Sequence, residues 1–310
     1  MRANSNDIVE FFGHSPDDMS VSAVTSFNQK SCPFVGGGCT KINHENKTVY
    51  GVCSVTGALD GKTRDEVVIC PKRLYAEGYG ILKKVTEVVW GDLPLVVGGG
   101  QKTLSAKASK HKECVVAFGQ NSVREVTVKS FSRLSMDWVL QRYRMNGLFL
   151  EAIDYVGVEV QSIDITNNYR DPFQAYSALK MGVSVTDIPD SEHGLNWANV
   201  HKRLIPQIIR KGNVYTHAER CVGFFFVVPD QVYKKFEEIL GELPEQQSPN
   251  RKNLSVLTYI LGDPVPSGEI RQLSNVRERH HSLEDIALAF CTNSHPDASK
   301  NLEQNLKKML

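Results

Sequence analysis

At 310 residues the chain has room for two domains, or one large one, at about 150 residues per domain. With 41% hydrophobic and 23% charged residues it can bury a core, which excludes disordered and collagen-like classes. Lys+Arg 36 against Asp+Glu 35 leaves a formal net charge of +1, so a polybasic tail is excluded and any nucleic-acid surface must be local. Residues 1–13 are polar and acidic and carry no basic-then-apolar signal pattern. The longest strongly apolar run, 221–228, falls far short of the roughly 20 residues of a membrane helix. The expectation is a soluble, cytoplasmic protein with no membrane partner.

In chain order, 7–15 reads as a short helix, capped by Asn6 or Asp7 and with Ile8, Phe11 and Phe12 apolar. Residues 48–55 and 66–70 read as strands. Four of the seven cysteines, Cys32, Cys39, Cys53 and Cys70, cluster around these strands. Two of them precede proline, and Gly36, Gly37, Gly38 and Gly51 supply turns. The odd total argues against a disulfide framework, and a tetrahedral thiolate metal site is the sharper reading. No interval is C-x2-C, so small buried hydrophobes remain the bland alternative and redox chemistry a third. Residues 1–75 thus read as a β-rich four-cysteine module and 76–310 as a second domain.

Residues 75–89 carry a helical stripe of Ile81, Leu82, Val85 and Val88. The run Gly98-Gly99-Gly100 with Lys102 and Thr103 lacks phosphate-loop spacing and reads as a plain turn. Strands are expected at 114–118, 125–129, 136–143 and 155–165, and a helix at 171–181. A second helix at 196–211 turns Val200, Leu204, Ile205, Ile208 and Ile209 inward. Lys202, Arg203, Arg210 and Lys211 are left largely outward, and Pro206 predicts a kink or break. The continuous apolar run 221–228 is the pattern of a strand buried on both faces. A helix at 231–240, a linker at 242–253, a strand at 254–261 and a helix at 282–290 complete the α/β pattern.

Glu159 and Gln161 lie two apart on a predicted strand and share a face. Asp137 begins an earlier strand. Carboxylates converging from adjacent strands can hold Mg²⁺ through hard oxygen ligands, and such an ion activates water toward a phosphodiester. By spacing alone a Glu-x-Gln is also an ordinary exposed strand face.

The segments Cys32-Pro-Phe, Val52-Cys53, Ile69-Cys70-Pro71, 135–140 (Ser-Met-Asp-Trp-Val-Leu) and 158–164 (Val-Glu-Val-Gln-Ser-Ile-Asp), with 193–212, resemble type II restriction endonucleases of the NotI/EagI kind. The resemblance runs from about residue 7 to 290. It implies a PD-(D/E)xK nuclease core, a mixed central sheet flanked by helices, beside the cysteine module. Asp137 and Glu159 would be the Mg²⁺-binding carboxylates, and Gln161 would stand where the usual lysine does. A neutral amide can orient water or a phosphate oxygen but supplies no charge. Glu125 resembles the additional acidic residue of such enzymes. Cys32, Cys39, Cys53 and Cys70 would hold one structural iron, where closed thiolate chemistry alone favours zinc.

The resemblance further implies double-stranded DNA as partner, a homodimer matching the symmetry of a palindrome, the GC-only site CGGCCG, and a companion DNA methyltransferase. Guanine edges favour Arg or Lys, and the candidates are Lys41, Lys72, Arg73, Lys202, Arg203 and Arg210. The set Arg277, Arg279, His280, His281 reads as an exposed loop or a phosphate contact, and His193 and His201 as structural. Two other functions compete. One is a non-catalytic DNA-binding protein with a structural metal, and the other a structure-specific repair nuclease.

Overall fold

The computed structural model describes residues 7–42, 47–58, 64–119, 126–129, 133–292 and 296–309. In chain order its elements are β1 (Ile8–Phe11), α1 (Val21–Gln29), β2 (Val52–Ala58), β3 (Arg64–Val68), α2 (Ala76–Trp90), β4 (Leu95–Val96), α3 (Gln101–Ala108) and β5 (Glu113–Gly119). There follow β6 (Val126–Lys129), β7 (Arg133–Met136), β8 (Trp138–Asn146), β9 (Phe149–Val160), β10 (Ile165–Thr166), α4 (Arg170–Lys180), β11 (Gly194–Leu195) and α5 (Ile205–Thr216). The last are β12 (Cys221–Pro229), α6 (Asp230–Leu240), β13 (Asn253–Leu261), β14 (Leu273–Ser282), α7 (Leu283–Thr292) and α8 (Pro296–Lys308).

A seven-stranded mixed sheet runs in the order β14-β13-β12-β9-β8-β5-β4. β8 and β9 form an antiparallel hairpin with Trp138 opposite Val158. β12 lies parallel to both β9 and β13, so its two faces are covered by helices. Its residues alternate accordingly. Phe225 and Val227 join Ile81, Leu82 and Val85 of α2, while Phe224, Phe226 and Val228 join Ile205 and Ile208 of α5 and Phe236 of α6. β1, β2 and β3 make a separate antiparallel sheet, and Phe11, Val52, Val55 and Val67 belong to the same buried cluster as the α5 face.

Three readings are corrected here. Residues 8–11 are a strand, not a helix. All four are buried in the ladder with β2, and the chain reverses at Phe12 and Gly13, both with positive φ. The spacing of Ile8, Phe11 and Phe12 fits a helix, but strand pairing decides the outcome. The helix expected at 196–211 is a wide π turn, Val200–Leu204, followed by α5 extending to Thr216. Pro206 sits in the first turn of α5, where a missing N–H costs little. The basic stretch around Arg277 to His281 is not a loop but the edge strand β14, with His280 and His281 buried.

Candidate active site

Asp137 occupies the single residue between β7 and β8, at the open end of the β8–β9 hairpin. Its backbone N–H donates to Glu159 Oε1 at 3.3 Å, and the Val160 N–H donates to Asp137 Oδ2 at 3.0 Å. Each carboxylate is thus anchored by the other's strand. Glu159 is 2% exposed and Asp137 is half-buried. Burial, and then the Asp137 carboxylate, push the Glu159 carboxyl above its ordinary range. Gln161, on the same face as Glu159, donates its backbone N–H to Val227 O at 3.0 Å, and its side chain faces a cleft.

Lys211 is the main departure from the sequence reading. It is buried, not outward, and its ammonium pairs with Glu159 Oε2. A lysine on an apolar helix stripe is otherwise expensive to bury, and the carboxylate across the interface offsets that cost. Two close approaches seat α5 here. A Cβ on Gly157 would lie 2.1 Å from the Tyr215 ring, and one on Gly212 would lie 2.6 Å from Leu283. Tyr215, one turn beyond Lys211, has its hydroxyl buried with no hydrogen-bond partner among the described residues. Below the sheet, Trp138 Nε1 donates to Tyr75 Oη at 3.0 Å.

A cleft of about 700 Å³ opens beside this centre, between the cysteine region and the turn preceding α5. Gln161, Lys41, Lys72 and Arg203 line it, together with Asn199 and Gln207. Three of the six predicted DNA contacts therefore gather at one place. Lys202 and Arg210 are exposed but do not line the cleft. Arg73 is fully buried, donating to Glu10 at 2.9 Å and to Arg271 O at 2.6 Å, which removes it from any surface a duplex reaches. A second cleft of equal size is walled by Asp7, Glu10, Asp17, Asp18 and Glu269, a sign of charge that repels a phosphate backbone.

The oxygen donors of Asp137 and Glu159 suit a hard divalent cation, which commonly takes one or two carboxylates and fills its shell with water and phosphate. Cys32, Cys39, Cys53 and Cys70 all line one small cavity, and all are free thiols. The expected closed thiolate site does not appear. Among the described residues, no group of three or more His, Cys, Asp or Glu is placed to hold an ion. Burial pushes the Cys53 and Cys70 thiols up, and Cys53 Sγ donates to Gly51 O at 3.4 Å. Lys41, its ammonium donating to Ile69 O at 3.3 Å, stands beside the same thiols.

Glu125 lies outside the described residues. Arg277 is held by Asp230 at 2.9 Å and Glu237 at 3.1 Å, and His281 by the Tyr233 hydroxyl at 2.8 Å, so this group serves the fold. His201 packs against the Phe290 ring. Sequence reasoning missed Lys211, Tyr215 and Tyr75. The available signal was positional, since Lys211 falls on the buried stripe of Ile205, Ile208, Gly212 and Tyr215.

Among described residues, no helix is long and apolar enough to cross a membrane. Among curated proteins no sequence matches the chain. A family model, the restriction endonuclease NotI, matches residues 23–261. That membership decides against the binding-only and structure-specific readings. The chain belongs to the NotI restriction endonuclease family and is a type II site-specific deoxyribonuclease acting on double-stranded DNA.

Proposed function

We propose that the protein hydrolyses both strands of a GC-only palindrome, CGGCCG, in a Mg²⁺-dependent reaction centred on Asp137 and Glu159. The observation that carries this reading is the reciprocal anchoring of the two carboxylates, with Glu159 two residues from Gln161, which lines a cleft with Lys41, Lys72 and Arg203. The order α2, β5, the β8–β9 hairpin, α5 and parallel β12, with the acids at the open end of the hairpin, supports a PD-(D/E)xK core. When bound, the cation lowers the pKa of a coordinated water and stabilises charge on the phosphate. The chain's own groups do the positioning. Asp137 and Glu159 present fixed oxygens, Gln161 offers a neutral amide to water or a phosphate oxygen, and Lys72 and Arg203 bring positive charge to the duplex. Glu125 is kept as a further acidic contributor.

The rest of the proposal follows from the palindrome and from the cleft. A homodimer presents two such centres, one per strand. A companion methyltransferase protects the host's own sites, and both act in the cytoplasm. Residues 1–75 form the module that carries Lys41 and Lys72 to the cleft. The family likeness implies that Cys32, Cys39, Cys53 and Cys70 hold one iron or zinc that fastens that module; the four line one cavity but are not drawn together as an ion's ligands among the described residues.

The test is incubation of the full chain with two plasmids, one carrying a single CGGCCG and one lacking it, in Mg²⁺ and in EDTA. Linear product from the first plasmid alone, and only with Mg²⁺, is expected. Discrete cutting at another sequence discards the inherited specificity, and retention without cutting in Mg²⁺ overturns the hydrolytic reading.

A further inference from the structure

The motif strand of this chain lacks the cation that its two carboxylates ordinarily work beside, because position 161 is glutamine. A cationic group nevertheless reaches the same place. Lys211 approaches from α5, which packs over the β9 face that carries Gly157 and Glu159, and its ammonium meets Glu159 Oε2. Its side chain is buried, on the apolar stripe of a helix whose other charged residue nearby, Arg210, is exposed. Gly157 permits the close seating that brings the helix within reach of Glu159, since a Cβ there would strike the Tyr215 ring, and Gly212 lets Leu283 of α7 pack closely on the same helix. A core position of this kind is ordinarily filled by an apolar side chain, which avoids the desolvation of both charges.

A second observation points to the same spot. The Tyr215 hydroxyl, one helical turn beyond Lys211 and lying over Gly157, is buried and has no hydrogen-bond partner among the described residues. A buried donor left unpaired near an ammonium and two carboxylates calls for an explanation, and a polar ligand reaching this centre would supply one.

We propose that Lys211 is a catalytic residue that replaces the missing motif lysine from another element of the fold. Its ammonium binds a non-bridging oxygen of the scissile phosphate next to Glu159, and Tyr215 supplies a neighbouring donor. Hydrolysis adds water across a phosphorus–oxygen bond, with oxygen going to phosphorus and a proton to the departing oxygen. Lys211 keeps its own proton throughout and acts as a fixed charge, stronger on the transition state, where negative charge on the phosphoryl oxygens is redistributed, than on the bound substrate. This inference rests on Asp137 and Glu159 being the reaction centre.

The experiment uses the full chain and a plasmid that the wild type cuts. Single-turnover cleavage in Mg²⁺ and DNA affinity in Ca²⁺ are measured for the wild type, Lys211→Gln, and the double variant Lys211→Gln/Gln161→Lys. Thermal melts accompany each. Lys211→Gln is expected to slow cleavage by about 10²-fold or more while leaving the affinity within a few-fold. Because 159 and 161 share a face, the double variant is expected to regain about tenfold or more of that loss. Full-rate cleavage by Lys211→Gln overturns the inference while leaving the endonuclease reading intact. A slow Lys211→Gln whose melt falls with it, and whose rate the second substitution does not restore, also overturns it and assigns Lys211 to the fold. A wild type that cuts no DNA in Mg²⁺ refutes the endonuclease reading, and this inference with it.

Discussion

Tyr215 lies across Gly157 so closely that a single methyl group on the glycine would come within 2.1 Å of the phenol ring. That contact sets how near α5 sits to β9, and hence whether Lys211 reaches Glu159. Gly157→Ala is therefore expected to destabilise the protein by about 1–3 kcal/mol through overpacking. Its effect on cleavage is expected to exceed its effect on folding at temperatures where the variant stays folded. Urea unfolding and single-turnover cleavage on the same preparation check this. An unchanged rate would show that the seating of α5 is not tight.

Glu10 and Arg73 form a buried ion pair, with side chains 1% and 0% exposed, that ties β1 to the turn after Cys70. Removing one partner leaves a charge in the core, so Arg73→Met or Glu10→Gln is expected to cost about 3–5 kcal/mol. Replacing both with residues of similar volume is expected to cost less than either change alone. Denaturant titration of the three variants measures the difference, and equal or additive losses would contradict the pairing.

Three buried histidines set a pH dependence. Burial holds His193, His14 and His280 below the usual imidazole value. His193 is within 2.8 Å of Thr56 O and 2.6 Å of Ser191 Oγ, contacts that a neutral ring satisfies. The unfolded chain binds these protons more readily. The histidine contribution to stability is therefore full above about pH 6.5 and is lost as pH falls below it, while Glu159, raised to about 8, contributes in the opposite direction and loses its share as pH rises from about 4.5. Asp18 adds a second loss at lower pH. Burial raises its carboxyl, but hydrogen bonds from Ser267, Gly268 and Ser20 outweigh that and hold it low, so its contribution goes as pH falls below about 4. The urea midpoint at pH 5.5, relative to that at pH 8, should be higher in His193→Gln than in the wild type, and an unchanged pH response would refute the sign.

Elemental analysis addresses the cysteines. Iron or zinc near one atom per chain, lost in Cys53→Ser, is the expected result. Protein free of both metals, with unchanged stability in Cys53→Ser, would leave the four thiols as small buried apolar groups.

Much of this was legible in the residues, and what was not has physical causes. The run 221–228 reads as a doubly buried strand because nothing in it is polar, and β12 is such a strand. The shared face of Glu159 and Gln161 follows from the period of a strand. β14 escaped notice because its side chains are charged. An edge strand needs only one apolar face, and Arg277, Glu278 and His280 are satisfied by partners far away in sequence. Lys211 was read as solvated because charge on a helix usually is. Its partner, Glu159, lies on another element, and no local pattern announces a pairing of that kind. Arg73 misled for the same reason, with Glu10 hidden in a strand that resembles a helix.

If Asp137 and Glu159 form the reaction centre, removing either must stop the chemistry without stopping DNA binding. Single-turnover cleavage and Ca²⁺-supported DNA binding are measured for the wild type, Asp137→Asn and Glu159→Ala. Each variant is expected to lose about 10³-fold or more in rate while still binding the duplex. Cleavage by either variant at the wild-type rate would place the chemistry elsewhere in the protein.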